Sequence, residues 1–396
     1  MTRLWASMQR AYDWQRQVNR RSSFDVWLLL SSLSLILLGW VVVSSASVAV
    51  ADAWTGNPQY FSTRQGLFIV LALVAALVVS RIPLAWANYP FAAIGAALGL
   101  LVIVLLIGRE VNGSTRWISL GPFNLQTSEL AKIALMVYLS SYLVRHLDAV
   151  RSTLSGFVNP LIVVFIYGVL LILQPDFGGL VVVLIAVMAM LFLAGARFQY
   201  FLLMLCLAVL LLTVIAYLEP YRVQRLTSFT DPWARQFDSG YQLTQALIAY
   251  GRGAWTGLGL GNSVQKLFYL PEAHTDFVFS ILAEELGLIG ALITLGLFVL
   301  MISRIYIIGR LSELSQHYFA AYLCYGLATL FAAQVLINLG VNTGLLPTKG
   351  LTLPLISYGG SSLLASGIML GLVFRADKER RQAGVKERSN GAKASR

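Results

Sequence analysis

"PLIVVFIYGVLLILQPDFGGLVVVLIAVMAMLFLAGAR" (160–197) decides the fold. Two apolar runs flank the short break "QPDFGG" (174–179). A helix needs roughly 20 apolar residues to cross the hydrocarbon of a bilayer, and each run approaches that length. Lipid offers no hydrogen bonds, so such runs must satisfy their own backbone as helices. Proline, aspartate and paired glycines favour a tight turn. The stretch therefore reads as a helical hairpin that crosses a membrane twice, with Asp176 most simply a turn or capping residue.

The same pattern recurs along the chain. Ten spans are predicted, near 26–49, 65–80, 88–108, 128–146, 157–174, 178–196, 199–219, 277–302, 318–341 and 356–375. Composition agrees: 58% of the 396 residues are hydrophobic and 12% are charged, against about 25% charged in soluble domains. The predicted fold class is thus an all-α polytopic membrane protein. Residues 1–25 form an N-terminal segment, 26–375 the membrane domain, 220–276 one long loop between spans seven and eight, and 376–396 a basic, solvated and disordered tail. The end of the first span, "SASVAVADAW", resembles a cleavage region, but its apolar core is too long and an uncleaved anchor is expected. Cys206 and Cys324 lie in apolar runs and read as small hydrophobes without a disulfide.

The net charge of +11 needs no nucleic acid to explain it, because Lys and Arg concentrate in cytoplasmic loops. An even span count puts both termini on one side. Arg3, Arg10, Arg16, Arg20, Arg21, Arg81, Arg145, Arg151, Arg197, Arg304, Arg310 and the tail from Arg375 then all fall inside. The long 220–276 loop is outside, and "YQLTQALIAYGRGAW" (241–255) within it has helical periodicity.

The outer face carries more charge than topology requires. Glu129 and Lys132 share a helix face and can pair. Arg222, Arg225, Lys266 and Lys349 border the same face, and the two arginines could equally snorkel at the interface. Glu284 and Glu285 fall inside an apolar span, where ionisable groups need a partner or a cavity. The glycine run "GLGLGN" (257–262) follows no strand and reads as turns rather than a nucleotide site. "PEAHTDF" (271–277) leaves three roles open for Asp276: N-cap of the next helix, general base, or metal ligand. An extended chain would point Glu272, His274 and Asp276 the same way.

"QTSELAK", "QPDFGG", "LGNSVQKLFYLPEAHTDF" and "GLLPTKGLTLPLISYGGSS" together resemble the SEDS family of cell-wall polymerases, its division branch more than its elongation branch. The likeness runs from about 25 to 375. Where the family often has proline in "QPSE", this chain has Thr127, which is expected to cap the fourth span. The resemblance implies a ten-span inner-membrane glycosyltransferase at the division septum that polymerises lipid II on the outer side. It implies Asp276 as the catalytic acidic residue. It also implies a class B penicillin-binding protein transpeptidase (FtsI-like) and other division-complex membrane proteins as partners.

The residues suit that chemistry. A base at Asp276 would take the proton of an acceptor hydroxyl, and Lys132, Arg222, Arg225, Lys266 and Lys349, with Glu129 and His274 beside them, would hold the substrate. Asp176, Glu284 and Glu285 are assigned to pairing. No cofactor is required, although Mg²⁺ bridging Asp276 and a diphosphate is compatible with hard oxygen ligands. Two other functions fit the same spans: a lipid II flippase, or a non-catalytic scaffold that recruits the transpeptidase. A flippase would need charges along a transmembrane path, and these cluster near one surface.

Overall fold

A computed structural model describes residues 24–87, 89–111, 114–119, 121, 123–217, 229–347 and 350–394. Among them are eleven α-helices: α1 (Val26–Thr55), α2 (Tyr60–Val79), α3 (Pro90–Ile107), α4 (Thr127–Ser152), α5 (Leu154–Leu173), α6 (Phe177–Leu193), α7 (Phe198–Tyr217), α8 (Tyr241–Gly253), α9 (Val278–Leu314), α10 (Tyr318–Asn342) and α11 (Gly360–Ala394). Seven are long and apolar enough to cross a membrane, namely α1 to α5, α9 and α10. All but α8 coincide with the ten expected spans. α1 runs unbroken through the cleavage-like sequence to Thr55. The short α8 occupies the part of the long loop where helical periodicity was read.

Helix ends follow local chemistry. Asp25 caps α1 by accepting from Leu28 N at 3.0 Å, and Asp176 caps α6 by accepting from Gly179 N at 3.0 Å. The α4 N-cap falls on Gln126, so Thr127 is the first helical residue. The hydroxyl expected to cap the span is instead buried without a hydrogen bond. Apolar faces turned outward, such as Leu67, Val70 and Val74 of α2, suit a lipid surround.

Without a hydrophobic drive between helices in lipid, close packing of small residues holds them together. Gly367 and Gly371 of α11 press on the backbone of Ala72 and Ala76 of α2. A Cβ at Gly371 would stand 2.7 Å from the Ala76 carbonyl oxygen.

Four features depart from the sequence reading. First, a three-stranded antiparallel sheet lies between α3 and α4: β1 (Arg109–Val111), β2 (Ser114–Ser119) and β3 (Asn124–Gln126), in the order β1–β2–β3. The all-α class stands with this addition. Ser361 Oγ joins the sheet to α11, accepting from Gln126 N at 2.8 Å and donating to Asn124 O at 2.9 Å.

Second, the tenth span begins at Gly360, not 356. The preceding "GLTLPLISYG" (350–359) is a non-helical segment that re-enters the bundle as far as the middle of α1. A Cβ at Gly39 would stand 2.6 Å from Ile356 Cα and 2.8 Å from Leu355 O. Irregular backbone at membrane depth survives where protein buries it. Overpacking here costs about 1–3 kcal/mol, so Gly39→Val should lower the thermal unfolding midpoint in detergent, while Val at the unobstructed Gly95 of α3 should not. Equal midpoints for the two would discard the contact.

Third, the segment after Arg375 is helical, not disordered. Asp377 is buried and pairs with Arg380 at 2.6 Å and Arg381 at 2.7 Å. Fourth, α9 is longer than its span and breaks at Gly287 (φ 68°, ψ −169°). Arg304, expected in a cytoplasmic loop, lies inside this helix and forms a buried ion pair with Asp25. Both cysteines are free, but Cys206 is exposed on α7 while Cys324 is buried.

Candidate active site

Helices alternate in direction along the chain, so one end of the bundle gathers the α1–α2 turn, the sheet, the "QPDFGG" turn, the α8 loop and the re-entrant segment. Asp276 lies at that end, in a run of turns just before α9. The α9 N-cap position is Phe277, whose side chain cannot cap. The capping role considered for Asp276 is therefore not the one it takes.

Backbone carbonyls fix the polypeptide around Asp276. Asn338 Nδ2 and Asn342 Nδ2, one turn apart on α10, each donate to Asp276 O at 3.0 Å. Ser357 Oγ donates to Thr275 O at 2.6 Å, and Tyr358 N donates to His274 O at 3.0 Å. The partly exposed carboxylate lies against Gly350, where a Cβ would come within 2.9 Å of Oδ2.

The next residue of the re-entrant segment faces a second cluster. Leu351, whose carbonyl accepts from the same Asn338 amide at 2.6 Å, lines a small cavity with Gln126, Ser128, Glu129, Lys132, Tyr167, Asp176 and Gln334. Lys132 Nζ donates to the Glu129 carboxylate at 2.7 Å, and both residues are buried. Asp176 accepts from Ser128 Oγ at 2.9 Å and meets Arg116 Nη1 at 3.5 Å. The Tyr167 hydroxyl is buried there without a hydrogen bond. Adjacent residues of one segment thus touch the Asp276 carboxylate on one side and a buried, charged cluster on the other.

Other expected site residues are placed differently. Lys266 Nζ donates to Glu285 Oε1 at 2.9 Å, Ser45 Oγ at 2.8 Å and Gly261 O at 2.6 Å. All three ammonium donors are occupied and the residue is 7% exposed, so these contacts tether the loop to α1 and α9. Glu284 accepts from Ser263 Oγ and from Gln265 N at 3.2 Å, and pairs with Arg252 at 3.0 Å. The pairing role read for Glu284 and Glu285 is what the geometry displays. The "GLGLGN" run forms turns, with positive φ at Gly257, Gly259 and Gly261. Arg222, Arg225 and Lys349 lie outside the described residues.

The extended arrangement that would point Glu272, His274 and Asp276 the same way is not formed. Residues 271–276 form turns and do not alternate as an extended chain would. Glu272 is exposed, whereas His274 is buried against the Phe61 ring at 4.7 Å between centroids. Among the described residues no three His, Cys, Asp or Glu gather to hold a metal ion.

Burial lowers the His274 pKa from its ordinary 6.5, and the nearby Glu272 opposes this more weakly. The folded state then binds fewer protons than the unfolded state below pH 6.5, so stability falls as pH drops from 6.5 to the depressed folded value. Thermal unfolding scans across that window should show this loss, and His274→Phe should flatten it. An unchanged slope in the variant would assign the pH dependence elsewhere.

Sequence reasoning missed Asn338, Asn342 and Ser357. The signal for the asparagines was present: two amides four residues apart in an apolar run lie on one helix face and need partners in lipid. Ser357 has no local signal, since its partner Thr275 is remote in sequence.

Residues 26–382 match the FtsW/RodA/SpoVE family, described as cell cycle proteins. The chain belongs to this family. A FtsW/RodA/SpoVE relative from Halomonas elongata, described as a probable peptidoglycan glycosyltransferase FtsW, is 56% identical over 385 residues, covering 96% of this chain and 97% of the relative. Another from Nitrosococcus halophilus with the same description is 54% identical, covering 92% and 95%. Among solved structures, a chain of a peptidoglycan synthase complex that coordinates polymerization and crosslinking is similar, with TM-score 0.74, 30% identity, and 91% of this chain and 99% of that chain covered. The rod shape determining protein RodA of Thermus thermophilus gives TM-score 0.67 at 29% identity, with 91% and 99% covered.

Proposed function

We propose that this membrane protein is a peptidoglycan glycosyltransferase that joins lipid II units into glycan strands for septal wall synthesis. The observation that carries the reading is the Gly350–Leu351 wall. It sets the partly exposed Asp276 beside a buried, charged cluster that holds the Lys132–Glu129 pair, at one end of the bundle.

In this mechanism the Asp276 carboxylate accepts the proton of the GlcNAc 4-hydroxyl on the acceptor. The freed oxygen attacks the anomeric carbon of the donor MurNAc from the face opposite the diphosphate. The new C–O bond forms as the bond to the diphosphate breaks, and the electron pair leaves on undecaprenyl diphosphate. The α-linked donor gives a β-linked product. Positive charge must meet the departing diphosphate, and guanidinium and ammonium groups bind phosphate oxygens strongly. Lys132 is assigned this task from the described cluster, and Arg222, Arg225 and Lys349 from the sequence. A divalent cation, if used, would be held by the diphosphate oxygens with Asp276 as its carboxylate ligand.

The proposed setting is the inner membrane, with the Asp276 end outside and both termini in the cytoplasm. A class B penicillin-binding transpeptidase is the proposed partner, in keeping with the similar chain in a synthase complex. The test is polymerisation of labelled lipid II in detergent by the purified, partnered protein, read as glycan strands on a gel. A folded, partnered protein that makes no polymer would point to transport or scaffolding instead. Adding a chelator to the same assay decides whether a divalent cation takes part.

A further inference from the structure

A cluster of aromatic rings in edge-on and tilted contact leads from the Asp276 turn to the surface, and neither proton transfer nor diphosphate binding uses it. Phe61 is its centre, buried at the start of α2. Its ring centroid lies 4.7 Å from His274, 5.1 Å from Tyr358, 5.2 Å from Tyr60 and 6.2 Å from Trp54. The inner end is built into the catalytic turn, because Tyr358 N holds the His274 carbonyl. The His274 ring is fixed by packing, as its buried Nδ1 has no hydrogen-bond partner. The outer end is open: Trp54 is 73% exposed. Arg64 stands one turn beyond Tyr60 with its guanidinium 5.0 Å from that ring.

Aromatic residues at a membrane surface often form an interfacial belt. Belt residues meet lipid one by one, whereas these rings pack around Phe61 in a continuous cluster that reaches His274, two residues before Asp276. Aromatic faces carry negative charge from their π electrons. The C–H groups on the face of a sugar ring carry partial positive charge, and its rim of hydroxyls suits a guanidinium. The reacting sugars sit at Asp276 itself. Only an already polymerised strand has further rings to lay along a line that runs outward from there.

We propose that Trp54 and Tyr60, backed by Phe61 and rimmed by Arg64, form a carbohydrate-stacking subsite that holds the glycan strand as it leaves Asp276. This rests on the glycosyltransferase reading. Its consequence is strand length, because a held strand is extended again before it dissociates.

The test compares strand lengths on a gel at matched lipid II consumption, using the protein with its transpeptidase partner. Trp54→Ala/Tyr60→Ala should give strands several-fold shorter than the parent, and Trp54→Phe/Tyr60→Phe should restore them. If the alanine pair does not fold, Trp54→Ala alone gives the same comparison, since truncation at so exposed a position leaves no cavity. Parental strand length from the folded alanine variant overturns the subsite. So does equal shortening in the alanine and phenylalanine variants, because ring stacking would then not be the cause. Parental polymer from Asp276→Asn is a separate result that removes the mechanistic reading beneath it.

Discussion

Asp276→Asn should lower the rate of lipid II polymerisation by about 10²–10⁴-fold, the usual contribution of a positioned general base. The substitution keeps size and removes the proton acceptor. It should also leave the fold intact, because Asn338, Asn342 and Ser357 hold this turn by the carbonyls of residues 275 and 276. The α9 N-cap falls on Phe277, so the carboxylate is not needed to start that helix. Rate loss with an unchanged unfolding midpoint is the expected pair of measurements. A variant that polymerises at the parental rate would show that another group accepts the proton.

Lys266→Met should cost about 3–5 kcal/mol, the range for breaking a buried ion pair by removing one partner. Glu285 is 0% exposed and would remain beside Ser45 without its cation. The loss should appear as a lowered unfolding midpoint and faster proteolytic cleavage in residues 254–270, which this pair ties to α1 and α9. The double variant Lys266→Met/Glu285→Met removes both charges and should recover most of the stability, since well-packed apolar residues can replace a buried pair. The double variant also separates two roles for Lys266. A tether predicts a folded double variant that still makes polymer, whereas a diphosphate-binding lysine predicts one that folds and makes none.

The contrast between Asp276 and Lys266 explains what sequence reading could and could not reach. Both are ionisable residues of the same long loop between α7 and α9. Burial and partners separate them, and those depend on Ser45 and Glu285 for one, and on Gly350 and two asparagines of α10 for the other. The same holds at "LLPTKGLTLPLISYGGSS". Its apolar content reads as the start of a span, but two prolines and paired glycines disfavour a helix, and it re-enters the bundle because Gly39 leaves room for its backbone. The sheet after α3 was hidden by a different cause. Its strands are short, β1 and β3 having three residues each, and no window of that length carries a distinct period.

The amino-acid sequence by itself determined the helical membrane architecture and the end of the bundle that carries charge. Long apolar runs in lipid have one way to satisfy their backbone, and this constraint is local. Its motifs also singled out Asp276. Only the tertiary structure decided which charges are tethers and which face the site. That outcome depends on residues far apart in the chain meeting in a medium where an unpaired charge is too costly to bury.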